Sequence, residues 1–131
     1  MDRALLQTIL YVDDEPDIRE VVELSLGLAN SLKIHTCDSG SIALSIMPTV
    51  RPDLVLLDVM MPGLDGPATL QRMQNDARLA HIPVVFMTAK AMPQEVARFR
   101  GMGAVAVIPK PFDPMRLSEQ VYGIWEGLPS G

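Results

Sequence analysis

The stretch Asp53-Leu54-Val55-Leu56-Leu57-Asp58-Val59-Met60-Met61-Pro62-Gly63-Leu64-Asp65-Gly66 decides how the chain is read. Residues 54–57 form its most continuous apolar run, with a carboxylate at either end. A run that short and uninterrupted suits a strand covered on both faces, as at the centre of a parallel sheet. Residues 61–66 are turn chemistry, in which proline fixes φ and glycine allows φ to be positive. Asp65 can then cap a helix that has Pro67 in its first turn and carries Leu70 and Met73 inward. The stretch is one strand, loop and helix, with Asp58 at the strand's carboxyl end.

The same unit recurs on both sides. Toward the N-terminus, residues 8–12 form an apolar run ended by Asp13 and Asp14. Pro16 suits the first turn of the helix that follows. Ile18, Val21, Val22 and Leu28 are expected on its inner face, with Ser25 as the polar interruption. Residues 32–36 are a second strand candidate. Ser39 and Gly40 open a short helix through Ala43, Leu44 and Met47, which Pro48 is expected to stop. Toward the C-terminus, residues 83–87 form a fourth strand closed by Thr88, and a helix is expected over residues 93–102. Gly101 and Gly103 precede a fifth strand over residues 104–108, which leads to Lys110-Pro111. Asp113-Pro114 opens a last helix whose Leu117, Val121, Ile124 and Trp125 keep i, i+4, i+7, i+8 spacing. Five strand–helix units fill the chain without linker, repeat or low-complexity segment. The expectation is one α/β domain over residues 1–131, with its core at about residues 8–126.

In an open parallel α/β sheet, the carboxyl ends of the strands share one crevice. Asp13, Asp14, Asp58, Thr88 and Lys110 would meet there: three carboxylates, a hydroxyl and an ammonium. That set suits a metal-assisted site for an anionic group. Each pair of carboxylates a few ångströms apart costs roughly 1 kcal/mol in bulk water and about 4 at an effective dielectric of 20. Cations are therefore needed to hold the acids together.

The composition narrows the classes of function. With 131 residues, 48% hydrophobic and 21% charged, the chain matches a globular domain rather than a disordered one. A net charge of −5 argues against direct binding to a nucleic-acid backbone, which needs clustered Lys and Arg. Cys37 is the only cysteine, so no intrachain disulfide forms; it has no basic neighbour and reads as an inert thiol. No apolar run approaches the roughly 18 residues of a membrane span. Met1-Asp2-Arg3 does not open a signal peptide, which makes the cytoplasm the expected location. His35 and His81 lack metal-ligand spacing, and the nine methionines read mainly as packing.

The chain resembles the receiver domains of two-component response regulators over roughly residues 8–126. The resemblance is carried in order by residues 9–16 (Ile-Leu-Tyr-Val-Asp-Asp-Glu-Pro), by the stretch 53–66, by Val84-Val85-Phe86-Met87-Thr88-Ala89, and by Ile108-Pro109-Lys110-Pro111-Phe112. An acidic pair or a strand-ending threonine alone is weak; all of these in sequence are specific. The resemblance implies a doubly wound, five-stranded parallel sheet of order 2-1-3-4-5 with five helices, the flavodoxin-like order. It implies that Asp58 is phosphorylated by a histidine kinase or a histidine phosphotransfer protein. It further implies that Mg²⁺ (or Mn²⁺) is held by Asp14, Asp58 and the Met60 backbone carbonyl, with Asp13 acting through water. Lys110 would pair with Asp58 before reaction and with a phosphoryl oxygen afterwards, and Thr88 would donate to another phosphoryl oxygen. Pro111 would follow a cis peptide. The partners it admits are the kinase, a downstream protein target or output domain, and a second copy through the last helices.

Two departures from the family pattern stand out. The position three before Lys110 is commonly aromatic, and here it is Val107, whose side chain cannot make a large ring swing. Met60 and Lys90, two residues after Asp58 and Thr88, occupy positions that tune hydrolysis of the acyl phosphate. Met60 cannot orient a water, and Lys90 either shields it or contacts the phosphoryl group. Two other readings are a Mg²⁺-dependent hydrolase with an aspartyl nucleophile and a degenerate receiver used as a scaffold. The hydrolase usually carries a second acid where Met60 stands. The intact acid pair, Asp58, Thr88 and Lys110 argue against the scaffold. The tail Gly127-Leu128-Pro129-Ser130-Gly131 fits either a single-domain regulator or a receiver cut from a longer protein.

Overall fold

A computed structural model describes residues 5–28 and 31–129. The opening Met1-Asp2-Arg3 and the final Ser130-Gly131 of the tail lie outside the described residues. Elements alternate as β1 (Thr8–Val12), α1 (Pro16–Gly27), β2 (Lys33–Cys37), α2 (Gly40–Val50), β3 (Leu54–Asp58), α3 (Gly66–Gln74), β4 (Val84–Thr88), α4 (Pro93–Met102), β5 (Ala106–Pro109) and α5 (Leu117–Glu126). The strands form one parallel sheet ordered β2-β1-β3-β4-β5. Both this order and the five helices are those the resemblance implies.

Successive side chains of a strand point to opposite faces, and the two halves of the core show it. Leu10, Val12, Val55, Leu57, Val84 and Phe86 pack with Ala43 and Met47 of α2, Leu70 and Met73 of α3, and Phe99 of α4. Ile9, Tyr11, Leu54, Leu56, Val85 and Met87 pack with Val22 and Leu26 of α1 and with Leu117, Val121 and Trp125 of α5. α1 and α5 therefore cover one face of the sheet, and α2, α3 and α4 the other. β3 and β4 are buried throughout, as their unbroken apolar runs require.

Three local expectations are corrected. Pro48 lies inside α2 rather than ending it. Its missing N–H removes one helical bond, but buried Met47 anchors the final turn and the Arg51 N–H reaches the Met47 carbonyl at 2.8 Å. The helix ends at Arg51, in the left-handed region (φ 52°), just before Pro52. On α1, Leu28 is 70% exposed and Ser25 is buried, because Val22, Ser25 and Leu26 form the inner face. Ser25 Oγ donates to the Pro114 carbonyl, so the polar interruption ties α1 to the segment before α5. Regular α5 begins at Leu117 rather than at Asp113-Pro114. Asp113 instead holds a turn, accepting from the Met115 N–H at 2.9 Å and the Arg116 N–H at 3.0 Å. β2, β4 and β5 also start one or two residues later than the apolar runs suggest. Strand limits follow ladder pairing, which the runs do not record.

Candidate functional site

The register brings the strand ends to one edge. Val12 lies opposite Leu57, Asp58 opposite Met87, and Thr88 opposite Pro109. Asp13 directly follows β1 and Lys110 directly follows β5, so the predicted groups share the crevice between these ends.

Gly66 makes the close approach behind Asp58 feasible. A Cβ there would sit 2.6 Å from the Asp58 carbonyl oxygen and 2.8 Å from Val59 Cα, which no side chain tolerates. The Gly66 N–H donates to the Val59 carbonyl at 3.0 Å. Asp65 caps α3 by accepting from the Ala68 N–H at 2.9 Å. These contacts pin the loop after β3 against the start of α3.

Within the crevice, Lys110 Nζ lies 2.7 Å from Asp13 Oδ2 and 3.2 Å from Asp58 Oδ1. The cation therefore bridges two carboxylates and sits nearer Asp13 than Asp58. Asp13 is wholly buried. Its Oδ2 also accepts from the Tyr11 hydroxyl at 2.6 Å, and its Oδ1 from the Glu15 N–H at 3.0 Å. The Asp13 carbonyl accepts from Arg19 Nη1 at 2.8 Å. Thr88 is buried, and its Oγ1 accepts from the Lys90 N–H at 3.0 Å. Among the described residues, no protein atom accepts the Thr88 hydroxyl proton, which leaves a donor at the crevice. The Lys110 N–H donates to the Thr88 carbonyl at 2.8 Å, and the Lys110–Pro111 peptide is cis, as the resemblance implies.

Burial pushes the Asp58 carboxyl up to about 6, with the Asp13 charge adding to the rise and Lys110 opposing it. Burial pulls Lys110 down, but its hydrogen bond to Asp13 and the charges of Asp13 and Asp58 more than offset that, and its net shift is upward. The Tyr11 hydroxyl is raised first by burial and then by its bond to Asp13. Burial likewise raises the Cys37 thiol, away from the reactive thiolate.

One carboxylate oxygen from each of Asp13, Asp14 and Asp58 lies within 4.8 Å of the others. Hard oxygen donors at that spacing fit a single divalent cation of the Mg²⁺ kind. Asp13 has both oxygens engaged by protein donors, whereas Asp14 is half-buried at the mouth. Met60 stands two residues beyond Asp58 and is 72% exposed. His35, His81 and Lys90 are exposed, and the two histidines are not in the acidic cluster.

Val107 pairs in register with Phe86 and packs, half-buried, on the α4 side of the sheet. The rings on that side are Phe86 and Phe99, in edge-to-face contact at 5.1 Å. Tyr11 is a crevice residue to which the sequence reading assigned no role. The signal was present: it lies two positions before Asp13, on the same side of β1, and its hydroxyl had to find a partner.

The family model for the response regulator receiver domain matches residues 9–122. This chain belongs to that family. It is 37% identical over 110 residues to Response regulator Rre1 of Synechocystis sp., an alignment covering 84% of this chain and 48% of that protein. It is 36% identical over 115 residues to a probable cyclic di-GMP phosphodiesterase of Vibrio cholerae, covering 88% of this chain and 26% of that one. The solved structure of the chemotaxis response regulator CheY4 of Vibrio cholerae superposes with a TM-score of 0.83 at 25% identity, covering 92% of this chain and 99% of that one. The chain thus spans between a quarter and a half of the two curated relatives. It is a receiver domain of the two-component type, a signalling domain, and among the described residues no helix is long and apolar enough to cross a membrane.

Proposed function

We propose that Asp58 takes a phosphoryl group from a histidine kinase or a histidine phosphotransfer protein, and that the modified chain changes its protein contacts. The observation that carries this reading is the placement of Asp58: buried, 3.2 Å from Lys110 Nζ, beside two further acids. An Asp58 carboxylate oxygen attacks phosphorus; the P–O bond forms as the P–N bond to the donor histidine breaks, and the histidine nitrogen keeps the electron pair. Lys110 then turns to a phosphoryl oxygen, and the unclaimed proton of Thr88 meets another. A Mg²⁺ (or Mn²⁺) ion held by Asp14, Asp58 and the Met60 carbonyl, with Asp13 acting through water, would neutralise charge on the transferred oxygens. Slow self-hydrolysis ends the signal, with Met60 unable to orient a water and Lys90 setting access.

The chain is read as one domain that works in the cytoplasm through proteins: the phosphoryl donor, then a downstream target or an output domain, with self-association through the last helices as a further contact. The net charge of −5 supports protein rather than nucleic-acid partners. Because Val107 replaces the usual aromatic, the change travels through Thr88, the segment 89–92 and α4. Of these two positions, it is the Thr88 hydroxyl rather than the Val107 side chain that can differ in its contacts between the two states, as any population shift requires.

Acetyl phosphate with Mg²⁺ is expected to add one phosphoryl group, with fragment masses placing it on Asp58. Thr88→Ala is expected to keep part of that labelling but to lose the amide shifts that beryllofluoride causes in residues 89–100; Val107→Tyr should change them little. An unlabelled parent would favour the constitutive scaffold instead. A parent-like response of Thr88→Ala would refute the route through α4.

The metal assignment has its own check. Asp14→Ala should remove most of the Mg²⁺ affinity in a calorimetric titration. Asp13→Ala, which removes a water-mediated contact, should cost about tenfold. Equal losses would contradict the division between direct and water-mediated ligands.

A further inference from the structure

We propose that Tyr11 is a positioning residue of this crevice: its hydroxyl holds the Asp13 carboxylate in place while Lys110 leaves for a phosphoryl oxygen on Asp58. The proposal rests on the receiver reading above and extends it to a residue on the opposite side of the sheet from Val107.

Tyr11 is fully buried among Ile9, Leu56, Met87 and Ile108 on the α1/α5 face. A phenylalanine would pack there equally well, so the hydroxyl needs its own explanation. It donates to Asp13 Oδ2 at 2.6 Å, the oxygen that also accepts from Lys110 Nζ at 2.7 Å. Two donors therefore share one acceptor, and one of them, Lys110, also reaches Asp58 at 3.2 Å. Asp13 has no solvent exposure in the metal-free chain, so bulk water does not readily supply a replacement donor to Oδ2. If Lys110 were the sole donor to Oδ2, its departure would strip a buried anionic oxygen of its partner, a costly event. With Tyr11 in place, Oδ2 stays hydrogen-bonded, and the Glu15 N–H continues to hold Oδ1. Lys110 is thereby released more easily. The state in which it contacts a phosphoryl oxygen is favoured relative to the state in which it bridges the two acids.

Tyr11→Phe keeps the ring and removes only the hydroxyl. The first test needs no metal and no phosphoryl analogue. Tyr11→Phe, Lys110→Ala and the double variant are unfolded in urea beside the parent. Donors that share an oxygen substitute partly for each other, so the double variant should lose more stability than the two single losses added. Additive losses would mean that Tyr11 acts by packing alone and would overturn the proposal. The second test is beryllofluoride binding at saturating Mg²⁺, followed by amide shifts. Tyr11→Phe should bind about tenfold more weakly than the parent, the scale of one hydrogen bond to a charged group. In a Lys110→Ala background the same substitution should have no effect. Parent-like affinity in Tyr11→Phe, or an undiminished effect without Lys110, would overturn the proposal. If the urea losses exceed additivity while the parent takes no beryllofluoride, the proposed phosphoacceptor role of Asp58 fails, and the switching role of Tyr11 fails with it.

Discussion

Lys110→Ala is expected to lower the melting temperature of the metal-free protein by about 10 °C, which for a domain of this size corresponds to a loss of about 3 kcal/mol. Lys110 is only 16% exposed at its side chain, and Asp13 and Asp58 are 0% and 6% exposed at theirs, so solvent screens these pairs weakly. Removing the cation leaves Asp13 and Asp58 without an ion-pair partner among the described residues. The loss lies at the low end of what breaking a buried pair costs, because Tyr11 and the Glu15 N–H still donate to Asp13. Since the folded-state pKa of Lys110 is raised, its contribution is fully present below the unfolded value near 10.4 and is lost only as pH rises through the higher folded one. The lysine's own titration therefore leaves the deficit unchanged from pH 7 to 9. Asp58, however, freed of the lysine that opposes its rise, ionises at higher pH in the variant, so the deficit should grow as pH rises above 6. Added Mg²⁺ should recover part of it, by supplying positive charge to the same oxygens. A melting temperature equal to the parent's, without metal, would refute the view that Lys110 relieves repulsion.

Much of this arrangement was legible in the chain, and the reasons differ by residue. Residues 54–57 announce a central strand because burial on both faces demands an unbroken apolar run. Asp13, Asp14, Asp58 and Lys110 stand out because each breaks such a run at its carboxyl end, where parallel strands share a crevice. Pro48 misled because local backbone chemistry predicts a helix end, while the burial of Met47 holds one more turn together. Leu28 misled in the opposite sense: apolar residues do occur on outer faces, and Ser25 turned inward because the Pro114 carbonyl was there to receive it. That contact joins residues 89 positions apart, and no local pattern encodes it. The sharing of Asp13 Oδ2 by Tyr11 and Lys110 was hidden for the same reason. Spacing places side chains on a common edge, but it does not say which oxygen each donor chooses.

Asp58→Asn should do the reverse of Lys110→Ala to the metal-free fold, although it removes the other end of the same ion pair. The Asp58 carboxyl, pushed up to about 6 by burial and then by Asp13, is harder to ionise in the folded chain than in the unfolded one, where it titrates near 3.8. The folded state therefore binds the proton more tightly between those values, and stability falls as pH rises from about 4 to about 6. Above that window the carboxylate is a standing cost. Asparagine removes the charge at nearly constant volume, and Lys110 keeps its closer partner, Asp13, at 2.7 Å. In metal-free solution at pH 7.5 the variant should gain about 1–2 kcal/mol, less than the full shift implies because the Lys110–Asp58 contact weakens. By pH 4 its melting curve should meet the parent's. With Mg²⁺ the order should narrow or invert, since only the parent retains the Asp58 oxygens for the ion. The same substitution removes the nucleophilic carboxylate, so acetyl phosphate should leave its intact mass unchanged. A variant less stable than the parent at pH 7.5 without metal would show that Asp58 is held by Lys110 more strongly than burial and Asp13 oppose it. A fully labelled variant would show that a neighbouring acid, rather than Asp58, takes the phosphoryl group.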